Sequence, residues 1–558
     1  MNSIRLGSRR PRFFALLALL SLQACAQVSP GLDTARIDAV FAAFTEKTPG
    51  CALGISQGGR TIHAKGYGLA DLGHGMAIRP DTVFDIGSVS KQFTAVALLL
   101  LEEDGKLKLD DSLQQHLPEL AQAFPQRISL RQLLEHTAGL RDYNELLLFA
   151  GQAEENVTGD AEALRAILAV PERNFAPGTR WSYSNTGYFL AAQVAQRVSG
   201  LSLDALLQAR LFKPLGMAAT HVRTNHLQVV PRRATAYQPG EAPGVYLLNM
   251  SNWNQAGDGA VQSTVLDLAR WDAELGDPKV LSQSLVRALR TPGRLSDGTP
   301  ITYALGQISN EYRGQPRVSH GGTWGGYRAM LAHFPAQRAG IAITCNVANA
   351  NVPALLNQVA DLVLAKDLTE AAPALDAAVP PGFDAQRFAG SYLHEDGFAA
   401  LRLNPEAQPG QVRMHIGFGN SLLRSAASDT LQNASGTLHL TLSTDGSALR
   451  LTRRADPHRV DRYLRLPSFS GEASALSGLA GSYRQTALGS SLRLEAGKDG
   501  ALRLQIGSAP AQGPLQALAA DLLVGPGVLL RVERDAKGQV QALVYSSERV
   551  RRLRYTRD

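Results

Sequence analysis

The sequence predicts an α+β unit followed by two antiparallel β-barrels. Helical text fills most of residues 110–275 and lies between strand-like segments on either side, which is typical of a sheet built from both ends of one unit. An Ala- and Pro-rich stretch at 367–385 precedes a region where strand-like alternation replaces helical periodicity. The 558 residues, 44% of them apolar, supply enough material for several hydrophobic cores.

The first 26 residues predict an export signal. A run of arginines precedes 13-FFALLALLSL-22, an apolar segment that is too short to span a bilayer. Two processing routes stay open, namely cleavage after 24-ACA-26 and lipidation of Cys25 in the lipobox-like 22-LQAC-25. No other stretch reaches about 18 apolar residues, so we expect no integral membrane segment. The prediction is a periplasmic protein, soluble or lipid-anchored, or a secreted one.

The α+β unit is predicted to cover residues 33–366. A helix over 33–48, opened by Asp33 or Thr34, leads to strands at 51–56 and 61–70, and the Gly-Gly pair of 57-QGGR-60 marks the hairpin turn between them. A helix is expected from Ser88 to about Glu103. Strands at 316–320, 327–334 and 339–347 and a helix over 352–366 complete the unit.

The region after the linker contains an internal repeat. The segment 388-FAGSY-392 recurs as 479-LAGSY-483, and the closing segments 460-VDRYLRL-466 and 550-VRRLRYT-556 also correspond. Two copies with many short strands, at 386–468 and 476–558, predict two antiparallel barrels.

The net charge of +7 is unevenly distributed. Residues 386–558 carry 22 lysines and arginines against 15 acidic residues, whereas residues 27–385 are net negative. The arginines are scattered through strand-like text, while a nucleic-acid site would cluster them and interleave aromatic residues. We therefore expect outward barrel faces and no nucleic-acid partner.

The first chemical motif is Ser88-Val89-Ser90-Lys91. A helix beginning at Ser88 places Lys91 one turn later on the same face. A serine needs an adjacent base to act as a nucleophile, and a semi-buried lysine can supply it. The alternative is an ordinary helix cap followed by a surface lysine.

The second motif is Tyr183-Ser184-Asn185, in a polar loop before a helix. A tyrosine hydroxyl beside a lysine can act as a general base, and Asn185 offers an amide to a substrate carbonyl. Packing of the tyrosine and capping by the asparagine are the structural alternatives.

The third motif is His320-Gly321-Gly322-Thr323, at the end of a predicted strand. The glycines would let a substrate backbone approach, and a backbone N–H here could complete an oxyanion hole with that of Ser88. His-Gly-Gly is by itself a weak signal.

The three motifs together resemble the signatures of the penicillin-recognising serine hydrolases, which are S-x-x-K, Y-x-N, and K-T-G or its H-x-G variant. Secondary markers are similar to the class C β-lactamase-like branch across 33–366, namely 65-KGYGLAD-71, 133-LLEHTAGL-140 and 264-TVLDLARW-271. The resemblance implies a β-lactamase-like, or transpeptidase, fold. With two barrels behind it, the architecture resembles the bacterial D-aminopeptidases, in which a loop of the last barrel reaches the active site. The candidate loop here is Ser508–Pro526.

The resemblance also implies a mechanism without metal or cofactor. Ser88 would form an acyl-enzyme, Lys91 and Tyr183 would share the proton, and the N–H groups of Ser88 and Thr323 would hold the oxyanion. His320 replaces the lysine that normally attracts a substrate carboxylate, and histidine is mostly neutral at pH 7. This departure disfavours strong carboxypeptidase or penicillinase activity.

The expected function is that of a D-stereospecific aminopeptidase or amidase that releases N-terminal D-Ala or Gly. The alternatives are a related esterase, β-lactamase or D,D-peptidase, and a non-catalytic peptidoglycan- or β-lactam-binding protein. The ligand would be a small peptide, amide or ester, and the oligomeric state stays open. Asp258, in 256-AGDGA-260, could face the ligand's amino group or could be a turn residue.

Two cysteines remain besides Cys25, namely Cys51 and Cys345, and neither has metal-binding spacing. In the resembled fold the first strand lies antiparallel to the last, which could bring these two together. Both a disulfide and two buried thiols are compatible with the sequence.

Overall fold

The computed structural model describes residues 32–558 except 370–377, 417–418, 435, 455, 471–475, 477, 498–500, 508 and 510. The predicted export signal with Cys25, and the centre of the predicted linker, lie outside the described residues. Within the described ranges, no helix is both long and apolar enough to cross a membrane.

The described residues form eleven α-helices: α1 (Thr34–Val40), α2 (Lys91–Glu103), α3 (Leu113–His116), α4 (Leu130–Leu134), α5 (Tyr143–Phe149), α6 (Asp160–Ala169), α7 (Asn185–Ser199), α8 (Leu203–Leu207), α9 (Val265–Gly276), α10 (Gln283–Arg290) and α11 (Val352–Val363). Short 3₁₀ turns cover Gly87–Ser90, Pro118–Leu120 and Ala385–Phe388, and Gln208–Phe212 form a π-helical turn.

The α+β unit contains thirteen described strands: β1 (Cys51–Gln57), β2 (Arg60–Tyr67), β3 (Leu69–Asp71), β4 (Met76–Ala77), β5 (Phe84–Asp85), β6 (His221–Val222), β7 (Tyr237–Pro239), β8 (Tyr246–Leu248), β9 (Val261–Ser263), β10 (Ile308–Tyr312), β11 (Gln315–Trp324), β12 (Tyr327–Phe334) and β13 (Ala339–Cys345).

The main sheet joins the two ends of this unit, as the sequence predicts. Its six antiparallel strands follow the order β10-β11-β12-β13-β1-β2, so the first and last strands of the unit lie side by side. Cys51 is directly opposite Cys345 in that pairing, and the two form a disulfide. Of the two states left open by the sequence, the structure has the bonded one.

Several sequence-based assignments differ from the structure. The strand predicted over 316–320 runs from Gln315 to Trp324, so the third motif lies within β11 and not at its end. The helix predicted over 33–48 ends at Val40, after opening at Asp33, whose carboxylate accepts the N–H of Arg36 at 3.1 Å. Strand β10 has no counterpart among the predicted strands, because its partly buried text has no clear alternation.

Helix α2 is the centre of the helical layer. Its residues from Lys91 to Leu101 are all buried, and α7 and α10 pack against it. A helix that is apolar all round must be covered on every side. The covering places the N-terminus of α2, which carries the first motif, inside the molecule and beside strand β11.

The first barrel is closed and consists of β14 (Gly390–His394), β15 (Ala400–Pro405), β16 (Gln411–Ile416), β17 (Gly419–Ala427), β18 (Thr430–Asn433), β19 (Leu438–Leu442), β20 (Ala448–Arg453) and β21 (Asp456–Arg465). All neighbouring strands are antiparallel, and β14 pairs with β21 to close the ring. This agrees with the prediction of an antiparallel barrel.

The last barrel is an eight-stranded sheet of β22 (Gly481–Gln485), β23 (Ser490–Ala496), β24 (Leu502–Ile506), β25 (Gln516–Ala519), β26 (Leu522–Gly525), β27 (Val528–Arg534), β28 (Val540–Ser546) and β29 (Leu553–Arg557). Its order runs from β24 through β23, β22, β29, β28, β27 and β26 to β25. Leu504, in β24, exchanges two backbone hydrogen bonds of 2.7 Å with Gln512, which precedes β25. These bonds connect the edge strand β24 to the segment that leads into the other edge strand, β25.

Candidate active site

Ser88 lies in the 3₁₀ turn Gly87–Ser90, and the α-helix begins only at Lys91. This corrects the expectation of an α-helix that starts at Ser88. Gly87 has a φ of +51°, and a Cβ there would lie 2.7 Å from the backbone nitrogen of Thr323. The turn therefore requires glycine before Ser88, and it holds the serine against strand β11.

The Lys91 side chain is fully buried and connects three parts of the site. Its Nζ donates to Ser88 Oγ at 3.1 Å, to Asn185 Oδ1 at 2.8 Å and to the carbonyl oxygen of Asp258 at 2.6 Å. The Asn185 and Asp258 oxygens can only accept, whereas the Ser88 hydroxyl can also donate its proton toward Nζ. Lys91 thus connects the serine to α7 and to the loop before β9.

Tyr183 is enclosed by cations and by a histidine. Lys91 Nζ lies 5.0 Å from the centre of its ring, the Arg549 guanidinium carbon 5.1 Å, and the His136 ring 4.2 Å. In the described part of the chain, its hydroxyl forms no hydrogen bond with Ser88 or Lys91. Tyr183 therefore faces Lys91 with its ring and not with its hydroxyl.

His136 belongs to the site although sequence reasoning did not select it. It is buried with a φ of +59°, and its Nδ1 accepts the N–H of Ser184 at 3.2 Å. Burial and the charge of Lys91 hold the pKa of His136 well below its ordinary value, so the ring is a neutral acceptor. The marker 133-LLEHTAGL-140 was the only signal for it.

His320 is buried and uses both of its ring nitrogens. Its Nδ1 lies 2.6 Å from the carbonyl oxygen of Gly321, and its Nε2 lies 2.9 Å from the Tyr303 hydroxyl. Because a carbonyl can only accept, Nδ1 carries the proton and Nε2 accepts from Tyr303. Burial and Lys91 lower the pKa of His320 to about 3, so it provides no positive charge near neutral pH.

Gly322 has a structural role that the sequence did not predict. A Cβ on Gly322 would lie 2.0 Å from the carbonyl oxygen of Ile86 and 3.2 Å from the backbone nitrogen of Ser88. Gly322 therefore permits β11 to approach the serine turn of the chain itself, rather than a substrate backbone. A Cβ on Gly321 would meet only the Ala329 oxygen, at 3.8 Å.

A cavity of about 640 Å³ collects the predicted site residues. All of them except Lys91, which lies beneath it, line its wall: Ser88, Tyr183, Asn185, His320, Gly321, Gly322 and Thr323. Asp258 also lines it. The wall contains further aromatic and charged side chains that sequence reasoning did not select, among them Tyr143, Glu145, Trp253, Trp324 and Arg549.

The turn between β28 and β29 supplies the last barrel's contribution to the cavity. The Arg549 carbonyl accepts the Asp142 N–H at 3.2 Å and the Asn174 side-chain amide at 2.8 Å. Ser182, next to Tyr183, donates its hydroxyl to the Glu548 carbonyl at 3.1 Å. Side-chain and backbone contacts thus fasten this turn to the residues around Tyr183.

The prediction that Ser508–Pro526 reaches the site is wrong for the described residues of that segment, and Ser508 and Pro510 lie outside them. The described residues include β25 and β26 and do not line the cavity. Residues 514–526 instead border a groove against the first barrel, opposite Ala400–Arg402. The strand-like sequence of the two copies did not indicate which hairpin faces the α+β unit, because the choice of hairpin depends on how the barrel is oriented.

Glu145 adds an acidic group at the same junction. Its carboxylate accepts the Ser547 hydroxyl at 2.8 Å. Burial and the neighbouring Asp142 raise the pKa of Glu145 to about 7, against an opposing effect of Arg549. At neutral pH the Glu145 carboxyl is therefore only partly ionised, and Arg549 is the neighbouring cation that favours its charged form.

A sheet-and-helix fold with a serine held by a buried lysine defines a serine hydrolase of the β-lactamase-like class. The profile of the Beta-lactamase family matches residues 37–366, more than half of the chain, so the chain belongs to that family. A D-aminopeptidase of Brucella ovis is 27% identical over 469 residues, which are 83% of this chain and 85% of that protein. This match is longer than the family region and therefore extends outside it.

Solved structures share the fold. The octameric penicillin-binding protein homologue from Pyrococcus abyssi aligns with a TM-score of 0.55 and 21% identity, over 77% of this chain and 100% of that one. The D-amino acid amidase from Ochrobactrum anthropi SV3 aligns with a TM-score of 0.50 and 22% identity, over 60% and 99%.

Proposed function

We propose that this protein is a D-stereospecific aminopeptidase or amidase that releases an N-terminal D-alanine or glycine through an acyl-enzyme. The observation that carries the proposal is the contact of Lys91 Nζ with both Ser88 Oγ and Asn185 Oδ1 in the wall of one cavity. The match to a D-aminopeptidase over 83% of the chain supports the choice of substrate.

In the proposed reaction Ser88 Oγ attacks the scissile carbonyl and loses its proton to the Lys91–Tyr183 pair. The C–N bond then breaks, and the leaving amine takes up that proton. The N–H groups of Ser88 and Thr323 stabilise the oxyanion, and the close approach of β11 to the serine turn supports this assignment. Water hydrolyses the acyl-enzyme and restores Ser88.

Asn185 is proposed to orient the substrate. Its Oδ1 is held by Lys91, so its NH₂ group is the part that remains for a ligand carbonyl. Neutral His320 offers no charge to a carboxylate beside the scissile bond. This supports amide or peptide substrates in preference to β-lactams, whose carboxylate lies next to the reacting ring.

A substrate panel tests the proposal. Wild-type protein should hydrolyse D-Ala-p-nitroanilide faster than L-Ala-p-nitroanilide and much faster than a chromogenic cephalosporin. Ser88→Ala should lower kcat on each active substrate at least ~10³-fold, since no other group can form the acyl-enzyme. A higher kcat/KM for the cephalosporin than for the D-alanine anilide would contradict the proposal, and equal inertness of wild type and Ser88→Ala would favour a binding protein.

We also propose that the protein works outside the cytoplasm, in the periplasm or beyond it. The Cys51–Cys345 disulfide supports this, because such bonds persist in oxidising compartments. Thiol titration of denatured, unreduced protein isolated from the periplasm should detect neither of these thiols. Two free thiols would contradict the proposal.

A further inference from the structure

The main chain of Asp258 lies directly beside the nucleophile. Its carbonyl oxygen is 2.6 Å from Lys91 Nζ, which is 3.1 Å from Ser88 Oγ, so the two residues are within about 6 Å of each other. The preceding carbonyl, of Gly257, accepts the Thr94 hydroxyl at 2.7 Å. A Cβ on Gly257 would lie 2.6 Å from the Tyr188 carbonyl oxygen. The loop is therefore fixed against α2 and α7.

The Asp258 side chain is buried, with 6% of its surface exposed, and it lines the cavity. Its Oδ1 accepts the Tyr143 hydroxyl at 2.9 Å. Its Oδ2 has no hydrogen-bond partner among the described side chains, and it is not one of the fully enclosed unpaired atoms. One oxygen is thus oriented by Tyr143, and the other is open to a ligand.

No cationic side chain of the described residues forms an ion pair with the Asp258 carboxylate. Lys91 bonds the backbone carbonyl of that residue, and its charge opposes the effect of burial on the pKa of Asp258. The other carboxylates of the cavity have contacts of their own. Asp85 accepts from Gly87 and Gln262, Glu145 from Ser547, and Glu154 faces Arg328. Burial raises the pKa of Asp258 to about 6, so the group is mostly ionised at neutral pH. A buried carboxylate in this state favours an incoming cation.

We propose that the Asp258 carboxylate, oriented by the Tyr143 hydroxyl, is the counter-ion of the substrate's α-ammonium group. The proposal rests on the proposed aminopeptidase function. The α-nitrogen is two covalent bonds from the carbonyl carbon that Ser88 attacks, so its counter-ion must lie in the same cavity as Ser88. Asp258 lines that cavity, and its main-chain oxygen is within about 6 Å of Ser88 Oγ. Substrates then need a free amino group next to the scissile carbonyl, which excludes acylated peptides.

Acylation of the substrate and mutation of Asp258 should have matching effects. Wild-type kcat/KM for N-acetyl-D-Ala-p-nitroanilide should be at least ~100-fold below that for D-Ala-p-nitroanilide, since the acetyl group removes the charge. In Asp258→Asn, the ratio of kcat/KM for D-Ala-p-nitroanilide to that for p-nitrophenyl acetate should fall about 100-fold. Tyr143→Phe should lower the same ratio by a smaller factor.

Glu135→Gln is the matched control, because it changes a buried carboxyl that does not line the cavity, and its ratio should equal that of wild type. Equal losses on both substrates in Asp258→Asn would assign the residue to holding Lys91 and would overturn the inference. The inference would also be overturned if the wild-type protein hydrolysed N-acetyl-D-Ala-p-nitroanilide as fast as D-Ala-p-nitroanilide. Failure of wild type on both alanine anilides would instead overturn the proposed function itself, and the inference with it.

Discussion

The two barrels follow the same local plan. In the first, the Tyr392 hydroxyl donates to the Phe388 carbonyl at 2.9 Å, and the Arg465 guanidinium carbon lies 4.7 Å from the ring centre. In the last, Tyr483 donates to the Leu479 carbonyl at 2.7 Å, and Arg557 lies 5.8 Å from the ring. The repeated AGSY segments and the corresponding closing segments thus build the same tyrosine environment twice.

The barrels differ in what lies against them. The core of the first barrel is a separate cluster, and polar contacts such as that between the exposed Arg180 and the partly buried Asp396, 3.4 Å apart, connect it to the α+β unit. The core of the last barrel is continuous with that of the α+β unit, where the Tyr545 and Phe149 rings are 4.9 Å apart. Among the described residues, the last barrel shares a core with the α+β unit and lines the cavity through Arg549. The first barrel contacts the neighbourhood of Tyr183 through Arg459, which lies 5.3 Å from the Trp181 ring.

This difference shows that two copies of the same barrel fold can have different roles in one protein. Strand alternation is enough to make each barrel, because it fills an interior. The residues on the outside and in one turn decide whether the barrel becomes part of the site. In the last barrel that turn contains Arg549, which contacts the ring of Tyr183.

Removal of the last barrel is expected to have the largest effect. A chain that stops after Leu466 would expose the apolar surface around Phe149 and leave Asp142, Asn174 and Ser182 without their partners in the 547–550 turn. These losses remove a large part of the roughly 5–15 kcal/mol by which proteins are stable, so the truncated chain should be insoluble or inactive. A soluble truncated protein with wild-type kcat/KM on D-Ala-p-nitroanilide would show that the last barrel contributes neither to the stability nor to the activity of the α+β unit.

Single core substitutions sharpen the same comparison. Tyr545→Ala and Tyr463→Ala each delete a buried ring, and each should cost about 3–5 kcal/mol in its own cooperative unit. Because the core of Tyr545 is shared, Tyr545→Ala should lower the temperature at which hydrolysis is lost, whereas Tyr463→Ala should not. Thermal unfolding followed by both calorimetry and residual activity tests this. Equal shifts in the activity midpoint would mean that both barrels unfold together with the site.

The two regions should also respond differently to pH. Burial raises the pKa of Glu135 from 4.5 to about 7, so the folded α+β unit binds this proton more tightly than the unfolded chain. The contribution of Glu135 to the stability of this unit is fully present below pH 4.5 and is lost as the pH rises through 7. By pH 7 the free energy of unfolding is about 3 kcal/mol lower than below pH 4.5. In the first barrel, burial of Asp461 is outweighed by His394, Arg459 and Arg453, which lower its pKa below 3.8. That stabilisation is lost only at acid pH.

Urea unfolding between pH 5 and 8 measures this contrast. Activity should report a falling midpoint for the catalytic region, and Glu135→Gln should flatten that dependence, although Glu145 contributes in the same direction. A first-barrel transition should stay constant over this range. A dependence that is unchanged in Glu135→Gln would exclude Glu135 as its source.

The smallest expected effect is that of the Arg549 guanidinium. Arg549→Ala removes the cation that lies 5.1 Å from the Tyr183 ring and 3.9 Å from Asp142, while the backbone bonds of the turn remain possible. We expect kcat to fall about 10-fold, in line with a contact worth about 1–2 kcal/mol. Arg549→Lys should restore part of it.

The control for this variant is Arg554→Ala in the same barrel, where the arginine forms a half-exposed pair with Glu533. Such pairs contribute little, so kcat should stay at the wild-type value. A wild-type kcat in Arg549→Ala would restrict the turn to a structural role. A fall in kcat with an altered pH profile would assign it to Tyr183.

The sequence by itself determined much of this protein. The α+β unit and both barrels could be predicted from local or periodic signals. These signals are the apolar sequence of α2, the Gly-Gly hairpin, the linker and the repeat. Spacing and motif type were enough to select Ser88, Lys91, Tyr183 and Asn185, which the fold brings to one cavity. Local chemistry dictates these features.

Only the tertiary structure decided the rest, because it depends on contacts between residues far apart in the chain. It assigned Gly322 to the approach of β11 to the serine turn, and it left His320 buried and neutral. It also selected Arg549, rather than the segment 508–526, as the last barrel's contribution to the cavity. The physical reason is that burial and long-range packing set the charge and the reach of a side chain, and neither is encoded in its neighbours along the sequence.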